Sequence, residues 1–125
     1  MRRLFFVMMT IICGVVLASC AEEGDPAEAV IDYLEAKVAS DEDALRGLLC
    51  SAMEGDLSRE AASLASVDAT LENASCERGD TEGDFTLVTC EGHIAAIYGT
   101  ETREFPLGTY RTVQEDGEWK YCGEG

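Results

Sequence analysis

Apolar positions along this chain follow three successive patterns, and each predicts a different kind of element. Leu4 to Val16 form a run broken only by Thr10 and Gly14. From Pro26 the apolar residues recur at helical spacing: Ala27, Val30, Ile31, Leu34 and Val38 share one face, with Asp32, Glu35 and Lys37 on the wet side. Asp25 stands at the N-cap, Pro26 fits the first helical position, and Glu28 sits where a capping-box acid reaches back. Ser40-Asp41-Glu42-Asp43 announces a second helix, since acids favour a helix N-terminus, and Leu45, Leu48, Leu49, Ala52 and Met53 line its inner face with Cys50 at the edge. Gly55-Asp56 interrupts. A third short helix, from Leu57 or Ser58 to about Ser66, turns Leu57, Ala61, Leu64 and Ala65 inward.

From Val67 the period changes to two, with β-branched and aromatic residues between turn signals. Strands are expected over 67–77, 85–98, 102–114 and 118–122, separated by turns at 78–84 (RGDTEGD), 99–101 and 115–117. In the second strand Val88, Cys90, Ile94, Ala96 and Tyr98 fall on one face. A helical half followed by an antiparallel meander is an α+β class: N-terminal helices packed on an antiparallel sheet. One domain is expected over 26–122, with a tail at 123–125.

The first apolar run follows Arg2 and Arg3 and leads into Leu17-Ala18-Ser19-Cys20, the layout of a secretory leader. It is shorter than the ~20 apolar residues of a spanning helix, and Glu22 and Glu23 follow it directly. The Leu-Ala-Ser-Cys tetrapeptide resembles the bacterial lipoprotein box. That resemblance implies removal of residues 1–19, diacylglycerol on the Cys20 thiol and acylation of the new amino terminus. Two acyl chains suffice for durable anchoring. The expected address is the extracytoplasmic side of a bacterial cell membrane, with 20–25 as a lipidated tether. Ordinary cleavage after Ser19 and an uncleaved anchor are the alternatives.

Loss of residues 1–19 removes two of nine basic side chains and none of the 25 acidic ones, so net charge moves from −16 to 7 − 25, or −18. So acidic a chain repels phosphate backbones and anionic headgroups, which argues against nucleic acid as a partner and leaves the lipid as the membrane contact. About 106 residues remain, one small domain with a modest core. Cys50, Cys76, Cys90 and Cys122 are an even set in an exported chain, the condition for two disulfides. A zinc site is not expected, because the cysteines are far apart, no C-x-x-C occurs, and His93 is the one histidine. A hairpin folded about Gly83 sets Cys76 opposite Cys90, which leaves Cys50 to Cys122; the other two connectivities stay open.

The helical stretch AEAVIDYLEAKVASDEDALRGLLC and the closing FPLGTYRTVQEDGEWKYCG, placed after a lipoprotein box, resemble small bacterial lipoproteins of unknown function with a nuclear-transport-factor-2-like (cystatin-like) domain. The resemblance covers nearly all of residues 26–122. It implies a cone, in which a curved antiparallel sheet wraps the helices and, in some members, leaves a pocket at the open end. In the closing hairpin Asp116-Gly117 is the turn, and Trp119 and Tyr121 would face the helices. Some members of that superfamily, ketosteroid isomerase and polyketide cyclases among them, pair a carboxylate base with tyrosine or histidine in the pocket. Many others only bind.

Candidate chemistry is sparse. His93 shares the parity of Leu87, Thr89 and Glu91, the face opposite Val88 and Ile94, so an exposed or cross-strand-paired side chain is expected there and not a general base. Tyr98, Tyr110 and Trp119 are the residues expected at a pocket, although aromatic residues in sheets commonly serve the core. Asn73-Ala74-Ser75 matches a glycosylation sequon that a bacterial lipoprotein would not normally use, and Asp41-Glu42-Asp43 lacks the spaced ligands of an EF-hand. No G-x-S-x-G, phosphate loop or haem-attachment motif occurs. No catalytic residue, metal or cofactor is therefore assigned. The expectation is a lipid-anchored binding domain for a small ligand or an envelope partner. An isomerase- or cyclase-like enzyme and a structural envelope lipoprotein are the alternatives.

Overall fold

The computed structural model describes residues 24–125, so the expected leader, Cys20 and most of the expected tether lie outside the described residues. Helix α1 (Pro26–Val38) starts as the sequence dictates: the Asp25 carboxylate accepts from the Ala27 amide at 2.9 Å, and Pro26 occupies the first turn. Its buried stripe is Ala27, Val30, Tyr33 and Leu34, with Val30 and Tyr33 almost wholly enclosed. Helix α2 (Glu42–Leu48) is capped by Asp41, which accepts from the Ala44 amide. Among the described residues no helix is long and apolar enough to cross a membrane.

The second helix is shorter than its apolar spacing suggests. Leu49 turns extended and bridges in parallel to Tyr121, and the Cys50 amide donates to the Tyr121 carbonyl at 2.9 Å. Ala52 and Met53 therefore belong to a separate 3₁₀ segment, Ser51–Asp56, which runs into helix α3 (Leu57–Ala62). Backbone pairing with the sheet and the Cys50–Cys122 disulfide outweigh the weak propensity that would have continued the helix.

Five antiparallel strands form one sheet: β1 (Asp68–Glu82), β2 (Phe85–Tyr98), β3 (Glu101–Pro106), β4 (Thr109–Glu115) and β5 (Glu118–Glu124). The hydrogen-bonded order is β1-β2-β4-β5, with β3 and β4 end to end along the same edge of β2. The strand expected over 102–114 is thus one path broken at Leu107-Gly108, directly after Pro106, which has no N–H to donate. The break stays tied to β2, as Leu107 donates to the Gly92 carbonyl and Cys90 to that of Gly108.

Two further boundaries move. The segment 78–82, expected as turn, continues β1 as a fully exposed strand, and Gly83-Asp84 alone makes the turn. Pairing with β2 satisfies its backbone whatever its side chains prefer. At the other end, β5 takes Gly123 and Glu124, and the Gly125 amide donates to the Thr109 carbonyl, so 123–125 is not a free tail.

The core lies between one face of the sheet and the helices. Val30, Leu34, Leu45 and Leu49 meet Val88, Cys90, Ile94, Tyr110 and Tyr121. Burying each large apolar side chain contributes about 1.5–3 kcal/mol. The hydroxyl of buried Thr112 donates to the Thr86 carbonyl at 2.7 Å, so it carries no unpaired-donor penalty. Both disulfides are present: Cys76–Cys90 joins β1 to β2, and Cys50–Cys122 joins the end of α2 to β5.

Candidate functional site: an aromatic cavity beside helix α1

A cavity of about 330 Å³ lies between α1 and the core face of the sheet. Its enclosed wall is aromatic and aliphatic: Tyr33 and Leu34 from α1, Ile94 from β2, Tyr110 from β4 and Tyr121 from β5. Each of these five is no more than 8% exposed. Tyr98 and Phe105, facing each other across the β2–β3 hairpin in an edge-to-face contact at 6.3 Å, form the wet rim, at 39% and 42% exposure. Alternation along β2 explains the placement. Ile94 and Tyr98 share the inward parity, and Phe105 stands opposite Ile94 in register. The volume is at the small end of the range for ligand pockets, about 300–1,000 Å³.

One corner of the wall is polar. The Tyr33 hydroxyl donates to Glu60 Oε2 at 2.5 Å, while Lys37 Nζ lies 3.3 Å from that hydroxyl and 3.5 Å from the carboxylate. Tyr33 and Lys37 are one helical turn apart on α1, and α3 contributes Glu60. Tyr110 anchors the opposite side, accepting from the Gly108 amide at 3.3 Å.

Burial pushes the Tyr33 hydroxyl well above the ordinary tyrosine value, with the neighbouring Tyr121 and Glu60 adding to it. Tyr121 is pushed up to about 12, chiefly by burial, with the nearby Tyr33 hydroxyl partly offsetting the rise. Tyr110 is also raised by burial, against a smaller opposing effect of the Gly108 amide. At neutral pH all three are therefore neutral phenols, able to donate a hydrogen bond but not to act as oxyanions.

The structure brings Tyr98 and Tyr110 together in this cavity, but it separates Trp119 from them. Trp119 lines a shallow groove with Asp25 and Glu28 at the start of α1, and the Arg78 guanidinium lies 5.3 Å from its ring centre. The reason is position along β5: Tyr121 points into the centre of the sheet, whereas Trp119 sits two residues nearer the β4–β5 turn. Tyr33, Lys37 and Glu60 were not expected at a site. Tyr33 falls three residues after Val30, within the buried stripe, and that spacing was the available signal; the contact with Glu60, 27 residues away, has no local signal.

His93 lies on the outer face, as its parity requires, with Nε2 2.8 Å from Glu72 Oε2 and 3.4 Å from Glu104 Oε1. Glu72 is its partner in the β1–β2 register, and Glu104 is its diagonal neighbour on β3. Only the three-strand register reveals this cluster. No family model, curated protein or solved structure matches the chain.

Proposed function

We propose that this chain is a lipid-anchored extracytoplasmic domain of a bacterial cell membrane that binds a small, largely apolar ligand in the cavity between α1 and the sheet. The observation that carries the reading is the cavity itself: a deep aromatic wall, neutral phenol donors and an exposed aromatic rim. A ring system about the size of two fused rings fits such a wall, with its one polar group toward the Tyr110 hydroxyl, which accepts from the Gly108 amide and keeps its own proton to donate. The anchor rests on the leader and on Cys20. Helices set against an antiparallel sheet with a cavity at their junction suit the nuclear-transport-factor-2-like cone, which we adopt as the finer description of the fold.

One observation favours the enzymatic alternative, the short Tyr33–Glu60 contact at the cavity corner. A general base needs a carboxylate with a free lone pair toward the substrate. Glu60 already accepts from Tyr33 and pairs with Lys37, and the carboxylate of the cavity wall, Glu124, is exposed. Binding is therefore the reading the geometry supports better.

A neutral naphthylamine dye, fluorescent in apolar surroundings, tests it. Saturable one-site enhancement is expected, lost when Ile94→Trp or Leu64→Trp fills the space. Enhancement that never saturates, or that survives both filled variants, counts against the cavity. For the anchor, Cys20→Ala should abolish incorporation of labelled fatty acid in a bacterial host, and persistent labelling would contradict it.

A further inference from the structure

We propose that Glu72, His93 and Glu104 form a binding site for one divalent transition-metal ion of the zinc class on the outer face of the sheet. Three adjacent strands, β1, β2 and β3, each supply one potential ligand atom, and these atoms lie within 4.8 Å of one another. The site is separate from the aromatic cavity, which lies on the opposite face.

The distances carry the argument. Ligands bound to zinc at about 2.0–2.2 Å stand roughly 3–3.5 Å apart around a tetrahedral or octahedral ion. His93 Nε2 is 2.8 Å from one carboxylate oxygen and 3.4 Å from the other. Those are already close to the edges of a coordination polyhedron. A single ring nitrogen carries at most one proton, so one N–H is left to serve two converging carboxylates. A divalent ion in place of that proton would satisfy the nitrogen and both oxygens together and would leave further positions open to water.

The backbone holds the imidazole in place. Beside it β1 bulges between Glu72 and Ser75, and Gly92 takes φ +104°, with the position of a Cβ on it only 2.5 Å from the Asn73 carbonyl oxygen. Bulges re-aim neighbouring side chains, and this one sits against the histidine. The field of the chain, net −16 over its whole length, also concentrates cations at its surface. The mixed set selects the metal: imidazole suits zinc, nickel or copper, whereas calcium and magnesium take oxygen ligands.

Zinc chloride titrated into the full chain, without a polyhistidine tag, tests the site by calorimetry together with the histidine ring resonances in NMR. One ion per chain is expected, with displacement of the single set of imidazole signals. His93→Gln and Glu104→Gln should each weaken binding at least about tenfold while leaving the unfolding midpoint unchanged. Both glutamates are well exposed, at 46% and 66%, so their amide variants leave the core untouched. An excess of calcium should not displace the zinc. Binding that is absent, that exceeds one ion, that yields to calcium, or that persists in His93→Gln would overturn the site and leave a polar contact between a histidine and two carboxylates.

Discussion

Tyr33 of α1 and Tyr121 of β5 stack with ring centres 3.6 Å apart and planes 7° from parallel. This contact joins the first helix to the last strand, and it forms the inner wall of the cavity. Tyr33→Phe keeps the ring but leaves Glu60 with Lys37 as its remaining partner, so a loss of about 1–2 kcal/mol is expected in urea unfolding. Tyr121→Ala removes the ring, and the expected loss is about 3–5 kcal/mol. Equal effects of the two variants would mean that the stacking contributes little.

Alkaline pH should destabilise the fold through the same residues. The unfolded chain ionises its tyrosines around the ordinary value of 10.0, while folded Tyr33, Tyr110 and Tyr121 are raised above it. Their contribution is complete below pH 10 and falls as pH rises through the folded values, near 12 for Tyr121. Tyrosinate absorbance should therefore lag at first and then rise together with loss of circular dichroism. Early ionisation of all tyrosines in a chain that stays folded would contradict the burial.

The two disulfides should differ in their effect. Cys50–Cys122 spans 72 residues and Cys76–Cys90 spans 14. In the chain-entropy model these loops are worth about 4 and about 3 kcal/mol. Removing the first by paired alanines also leaves the Leu49–Cys50 segment held to β5 by backbone pairing alone, so its variant should unfold at the lower denaturant concentration. The reverse order would show that the hairpin bridge matters more than its loop length allows.

Gly92→Ala is expected to destabilise by more than about 1 kcal/mol, because the new methyl meets the Glu72 and Asn73 carbonyls and the residue must keep a positive φ. Thermal unfolding checks this. Gly108→Ala, where nothing lies within 4 Å and φ is not positive, is the control and should change little.

Local chemistry made some of this fold readable, and long-range pairing hid the rest. The Asp25-Pro26 start of α1 depends on adjacent residues alone, and it stands where the sequence puts it. The Cys76–Cys90 pairing is correct for a more instructive reason. The turn is Gly83-Asp84 and not a turn centred on Gly83, which alone would shift the register by one. The irregularity between Arg78 and Thr81 takes up that residue and restores Cys76 opposite Cys90. By contrast, the end of α2 is set by Tyr121, more than 70 positions away, and the extension of β1 is set by its partner strand. For the cavity, strand parity placed Tyr98 inward and Tyr110 was named only as an aromatic pocket candidate, but the Tyr33–Glu60–Lys37 corner needs two helices brought together. Trp119, which the resemblance set toward the helices, lies away from the cavity because facing the helices does not fix a position along the strand.

The bridge from Leu49 to Tyr121 has a consequence for neighbouring molecules. It occupies the middle of the free side of β5, at Tyr121, where another strand would otherwise add. At the opposite margin, β1 carries Asp68, Glu72, Glu77, Asp80 and Glu82 against the single cation Arg78, so a second copy approaching edge to edge would bring acid against acid. The remaining margin, β3, is six residues long and ends in proline. One side partly covered, one side charged and one side short disfavour lateral growth of the sheet from copy to copy.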